Sequence, residues 1–212
     1  VVLADGSTLP VRAGQTLMVG GNAPLKRGVA PYPVPANPPA SISVIPWPQH
    51  VALSARGAAP IGLTLVAEGA EPAAAAEAFT RLVNDLFAVE GIVRPASEGG
   101  LPVHLWLKDG LGAEAYEIAF KADAVSIAAS TRTGLFYGLV TLGQIWRGAR
   151  QFPAAYSFPV EGTITDAPAM GWRGLHLDVA RQFYGEAEIR QLMAILAWNK
   201  MNRFHWHLSD DE

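Results

Sequence analysis

The spacing of apolar and polar positions changes period along this chain, and each change marks an element. From Arg173 to Val179 the period is two, with Gly174, His176 and Asp178 on one face and Leu175, Leu177 and Val179 on the other. A second such run puts Phe204, Trp206 and Leu208 on one face and Arg203, His205 and His207 on the opposite one. Between them Ile189, Leu192, Met193, Leu196 and Met201 recur at helical spacing, behind Glu186 and Glu188, whose carboxylates suit a helix N-terminus. The connection is long enough for a parallel crossover, so the pattern predicts a β-α-β unit. Charged groups gather past the ends of both strands, the end where α/β barrels build their chemistry.

Upstream, IGLTLVAE reads as a strand, and Pro72 to Val89 as a helix with Phe79, Leu82, Val83 and Leu86 on one face. LPVHLWLKDG is another strand. EAYEIAFKADAVSIAAS alternates through Tyr116, Ile118 and Phe120, then Val125 and Ile127, which predicts a hairpin about Ala122-Asp123. Thr131 to Trp146 carries a helical stripe of Leu135, Leu139, Leu142 and Ile145. Gly134, Gly138 and Gly143 interrupt it at about 0.5–1 kcal/mol each, which points to close packing against a sheet or barrel. As a phosphate loop this G-x-x-x-G lacks its Lys-Ser/Thr partner. Together these elements make a two-layer α/β module with no catalytic constellation, a scaffold. Asp166-Ala167-Pro168 marks its far boundary. Before it, residues 1–41 read as the tail of an earlier module, with QTLMVGG as a strand, and a stiff spacer containing Pro31, Pro33, Pro35, Pro38 and Pro39.

Composition narrows the function little. At 212 residues and 50% hydrophobic, the chain buries a real core as one to two domains. A net charge of −3 gives no basic footprint for nucleic acid. The absence of cysteine excludes disulfides and thiolate metal sites. No run approaches the roughly 18 apolar residues of a membrane span. VVLADGSTLPV has no charged-then-apolar leader pattern, and the compartment stays open, a periplasmic or secreted one included.

Two blocks carry a specific resemblance. RGLHLDVARQF and, after a helix, WNKMNRFHWHLSDDE closely resemble glycoside hydrolase family 20, the β-N-acetylhexosaminidases. That family opens its catalytic barrel with RG-x-x-x-D-x-x-R and ends its second strand in H-x-H-x-x-D-D. SVIPWPQHV resembles the beginning of the small domain before the barrel, and TRTGLFYGLVTLGQI its last helix, so the likeness covers about residues 42 to 212. Gln182 departs from it, where a histidine often follows the arginine. The implied α/β fold is a two-layer domain at 42–165, a mostly antiparallel sheet with two helices, and then the start of a TIM (β/α)8 barrel at 166–212, incomplete in this chain.

The resemblance implies a retaining exo-glycosidase, needing no cofactor or metal, that acts on terminal N-acetylhexosamine glycosides of chitooligosaccharides or glycans. In that family the substrate's own 2-acetamido oxygen attacks the anomeric carbon, a glutamate protonates the leaving oxygen, and a neighbouring aspartate orients the acetamido group. That Asp-Glu pair belongs near the fourth barrel strand, beyond Glu212. Asp211 and Glu212 occupy the second-strand position and are not expected to be catalytic. Arg181 matches the arginine that grips the sugar's 3- and 4-hydroxyls, a task suited to a planar fork of donors. Asp210 matches an aspartate that orients a histidine supporting the acid. Asp178 reads as structural.

Two other functions remain open. His205 and His207, two apart on a strand with acids beyond, also resemble the first metal-ligand pair of amidohydrolases, although that pair normally sits on the first barrel strand. A chain of this length could also be a non-catalytic carbohydrate-binding or scaffold protein. An unfinished barrel would leave Trp198, Met201, Phe204 and Trp206 exposed beside unpaired strand edges and favour self-association.

Overall fold

The computed structural model describes residues 42–209. The expected QTLMVGG strand, the proline-rich spacer and Asp210 to Glu212 lie outside the described residues. Six strands, β1 (His50–Gly57), β2 (Leu63–Ala67), β3 (Leu101–Leu107), β4 (Tyr116–Phe120), β5 (Val125–Ala129) and β6 (Phe158–Asp166), form one sheet in the order β1-β6-β4-β5-β3-β2. Its β1-β6, β6-β4 and β4-β5 pairs are antiparallel, and β5-β3 and β3-β2 are parallel. Two helices, α1 (Ala70–Phe87) and α2 (Arg132–Gln151), lie against it. The remaining elements are β7 (Gly174–Asp178), α3 (Glu186–Trp198) and β8 (Arg203–His207), with β7 and β8 paired in parallel, so the expected β-α-β unit is present.

Local chemistry explains the helices. α1 is alanine-rich, carries Glu71 in its first turn, and buries Ala75, Phe79, Leu82 and Val83. It gives way to a 3-10 turn at Ala88–Glu90, and Gly91 follows in the left-handed region at φ 59°. α2 begins at Thr131, whose side chain accepts from the Gly134 amide at 3.1 Å. Its predicted stripe of Leu135, Leu139, Leu142 and Ile145 is fully buried. Its glycines mark close approaches: a Cβ at Gly138 would stand 2.6 Å from Ile127 Cγ2, and one at Gly143 2.9 Å from the Phe79 ring.

The structure departs from expectation in three places. β1 and β6, the pair at one side of the sheet, were not read as strands. Both alternate in burial, but the half-buried face of β1 ends in the small Ala55 and Gly57, and β6 holds Pro159 and Gly162 at φ 122°, so the apolar contrast that marks a strand is weak. α2 runs on past Trp146 to Gln151, because Arg147 and Gln151 both reach Glu90 and hold the polar last turn in place. Of the four apolar residues expected to stand exposed only Trp206 does: the Trp198 ring meets Phe87 edge-on at 4.9 Å and packs against the main core, and Met201 and Phe204 are half-buried.

One buried polar cluster joins the β-α-β unit to the sheet. Lys200, 4% exposed, follows α3 with a left-handed φ of 56°. Its ammonium donates to Thr141 Oγ1 at 2.8 Å and to the Tyr116 hydroxyl at 3.1 Å, and lies 3.7 Å from Asp166 Oδ2. Tyr116 donates in turn to Asp166 at 2.7 Å. Beside it Gln144 accepts from the Ile45 amide at 2.8 Å and donates to the Trp198 carbonyl at 2.7 Å. Thus β4, α2, β6 and the turn after α3 share one network, and no buried side-chain polar atom among the described residues lacks a partner.

Burial pushes Lys200 down from 10.5 to about 8, against the pull of Asp166, and pushes Tyr116 up from its ordinary value. Between pH 8 and 10.5 the unfolded chain therefore holds a proton on this lysine that the folded chain has released, so Lys200 makes stability rise with pH in that window. Above about pH 10 the raised Tyr116 acts in the opposite sense. Urea unfolding between pH 7 and 10 should show a Lys200-dependent gain on the order of 2 kcal/mol, from about 1.4 kcal/mol per unit. Lys200→Met should flatten that slope. Parallel curves for the two proteins would refute the assignment.

Candidate functional site

The C-terminal ends of β7 and β8 gather the groups singled out in the sequence. The strands run in register, Gly174 opposite Arg203, His176 opposite His205 and Asp178 opposite His207, so all six share one face. Beyond the strand the Val179 amide donates to the His207 carbonyl at 2.9 Å, extending the ladder. Asp178 Oδ1 accepts from the Ala180 amide at 2.9 Å, a local bond that closes the turn leading to Arg181. Arg181 itself is exposed, just past that turn. Asp210 lies outside the described residues, as do Asp211 and Glu212.

The histidines form a cross-strand group. His176 Nδ1 and His205 Nδ1 are 3.0 Å apart with their rings nearly perpendicular, so one of these nitrogens donates and the other accepts. His207 stacks on His176 at 5.7 Å and stands at 89° to His205. His205 therefore directs Nδ1 at its neighbour strand and does not converge with His207. Among the described residues no three His, Asp or Glu side chains are placed to hold a metal ion.

The opposite end of the two strands is fixed by Arg173. Its guanidinium pairs with both carboxylate oxygens of Glu114 at 3.0 Å, donates to the Tyr137 hydroxyl at 3.1 Å, and through Nε donates to the Lys200 carbonyl at 2.9 Å. Asn202 adds a bond to Glu114 at 3.2 Å and accepts from the Arg173 amide at 3.0 Å. Arg173 hydrogen bonding holds the Glu114 carboxyl below its ordinary range, and Glu114 raises Arg173 in return. Burial raises Tyr137. None of these positioning residues was singled out as such beforehand. The arginine of the RG-x-x-x-D-x-x-R block was the available signal, and its partner Glu114 is 59 residues away.

The comparisons agree on one family. Residues 41–167 match the model described as glycosyl hydrolase family 20, domain 2, and residues 170–212 match the catalytic domain of the same family. A β-N-acetylhexosaminidase of Cellulomonas fimi is 36% identical over 124 residues, covering 55% of this chain and 24% of that protein. Among solved structures, an exo-β-N-acetylglucosaminidase from Vibrio harveyi in complex with N-acetylglucosamine superposes with a TM-score of 0.63 at 26% identity, over 81% of this chain and 26% of the other. The Streptomyces plicatus N-acetyl-β-hexosaminidase gives 0.60 at 30% identity, over 83% and 36%. The chain thus spans well under half the length of the relatives it matches. Because the domain 2 match alone covers more than half of its residues, this chain belongs to glycosyl hydrolase family 20.

Proposed function

We propose that this chain is the scaffold and first barrel unit of a retaining exo-β-N-acetylhexosaminidase that removes terminal N-acetylglucosamine or N-acetylgalactosamine with assistance from the substrate's acetamide. The observation that carries the proposal is the pairing of both barrel blocks in one in-register strand pair, with Asp178 closing the turn to Arg181. In this reading residues 42–165 are the scaffold and the barrel begins at 166. Arg181 grips the 3- and 4-hydroxyls of the terminal sugar, and Asp210 supports the acid through a histidine. His176, His205 and His207 fill the inner face of the barrel wall and hold no metal. The amidohydrolase reading has no observation in its favour.

Among the described residues two barrel strands are present, and in this reading the Asp-Glu pair of the fourth strand is not part of residues 1–212. Taken alone, residues 1–212 should release no chromophore from an N-acetylglucosaminide above the buffer rate, because neither leaving-group protonation nor acetamide orientation is available. Turnover abolished by Asp211→Asn or Glu212→Gln would overturn this.

The same polypeptide should self-associate. Met193, Ile195, Trp206 and Leu208 are each more than two-fifths exposed, beside the open edges of a two-stranded sheet. Sedimentation velocity should show mass above 22.5 kDa at micromolar concentration; a monomer throughout would sink the idea.

In the complete enzyme, Arg181→Lys should keep its melting temperature and lose roughly tenfold to a hundredfold in kcat/KM. Lysine cannot reproduce a planar pair of hydrogen bonds, each worth about 1.5–3 kcal/mol to a charged donor. A structural ion pair at this position predicts the reverse, a lowered melting temperature with near-normal kinetics.

A further inference from the structure

The end of the six-stranded sheet remote from β1 carries a cleft of about 570 Å³, within the range of small-molecule sites. It lies at the carboxyl ends of parallel strands, where open α/β sheets hold their ligands. The cause is a notch in the sheet edge. β2 pairs with β3 only as far as Ala67 opposite Leu105, and Gly69 then turns the chain into α1 at φ 92°, a conformation open to glycine. β3 runs on to Leu107, so Trp106 and Leu107 have no strand beside them on that side. On the other side Trp106 faces only Ala128, too small to cover an indole.

Trp106 is 46% exposed, and its indole N–H has no hydrogen-bond partner among the described residues. His104, two residues earlier on the same face, and Glu68 at the cleft rim are likewise unpartnered there. Glu71 makes a loose 3.8 Å contact with Arg132, itself largely exposed. Val66, Pro72 and Leu107 complete an apolar floor, and neither lysine nor arginine lines the cleft. The wall is therefore an aromatic face beside His104 and two carboxylates, one of them in loose contact with Arg132. Two carboxylates disfavour phosphates and other anions, and the wall suits a ring with an apolar C–H face, hydroxyl donors and a positive charge.

We infer that this cleft binds a pyranose ring bearing a free amino group, stacked on Trp106 with its ammonium and hydroxyls on Glu68 and Glu71. It is a site on the scaffold, separate from the strand ends of β7 and β8, and it does not depend on the activity proposed above. In a partly deacetylated glycan it would take the rings that lack an acetyl group.

The test is binding to the 212-residue chain, read from the Trp106 indole N–H resonance and from calorimetry. A glucosamine trisaccharide should shift that resonance saturably. Trp106→Ala should abolish binding, and Glu68→Gln with Glu71→Gln should weaken it at least fivefold while the remaining spectrum stays folded. Cellotriose should bind at least fivefold more weakly than the glucosamine trisaccharide, and trilysine should not compete. Equal binding of cellotriose would overturn the requirement for an amine. Competition by trilysine would overturn the sugar, leaving a simple cation site, and no shift with any probe would overturn the site itself. In the complete enzyme, Trp106→Ala should leave hydrolysis of a small chromogenic hexosaminide unchanged. A glycosidase found inactive would therefore not touch this result.

Discussion

Burial of a single lysine sets the geometry on which the rest of this structure depends. A buried ammonium costs several kcal/mol unless it is paired and hydrogen-bonded. Lys200 meets that demand only where Thr141 on α2, Tyr116 on β4 and Asp166 at the end of β6 converge. Displacing any of these elements strands a charge or a hydroxyl, so the network fixes the turn after α3 in position as well as stabilising it. β8 begins three residues later, and a strand of five residues advances about 16 Å at roughly 3.3 Å each. The joint therefore decides where His205 and His207 stand, while lying at the opposite end of the strand from them. Barrel enzymes divide labour in the same way, with stability at the N-terminal ends of the strands and chemistry at the C-terminal ends.

What the sequence disclosed follows from how local each signal is. α1, α2, β3, the β4-β5 hairpin and the β7-α3-β8 unit carry unbroken periods of two or 3.6, and they were legible within a few residues. β1 and β6 also alternate, but their inward positions include the small Ala55, Gly57 and Gly162, and neither read as a strand. Thr141 was hidden within the α2 stripe, and Lys200 in WNKMN looks like any solvated helix-end lysine. Its burial becomes visible only once segments more than 80 residues apart are brought together, as the Lys200–Tyr116 bond does. A network of that kind has no period and no spacing, so pattern reading passes over it.

The candidate site was legible to a different degree. The blocks around Arg181 and the paired histidines are short and contiguous, so the sequence displayed them whole. Period two also foretold that His176, Asp178, His205 and His207 share a face. It could not show that His176 and His205 spend a hydrogen bond on each other, because that depends on the register between two strands. Nor could it show that Asp178 bonds the Ala180 amide, which makes this acid part of the loop that presents Arg181.

α3 shows why a scaffold and a barrel begin together. A barrel helix needs one apolar stripe facing its strands, yet α3 has apolar groups on more than one side. Ile189 and Leu196 are buried, and Ala194, Ala197 and Trp198 pack on the main core beside α1, whereas Met193 and Ile195 stand exposed. The helix thus serves as a third member of the scaffold's helical layer and as the first helix of the barrel. A helix committed to two layers cannot shift to suit one without losing contacts in the other. The Gln144 bridge from the Ile45 amide to the Trp198 carbonyl tightens the same constraint at its C-terminus. The six-stranded domain therefore fixes the placement of α3 and, through it, of the two strands that flank it.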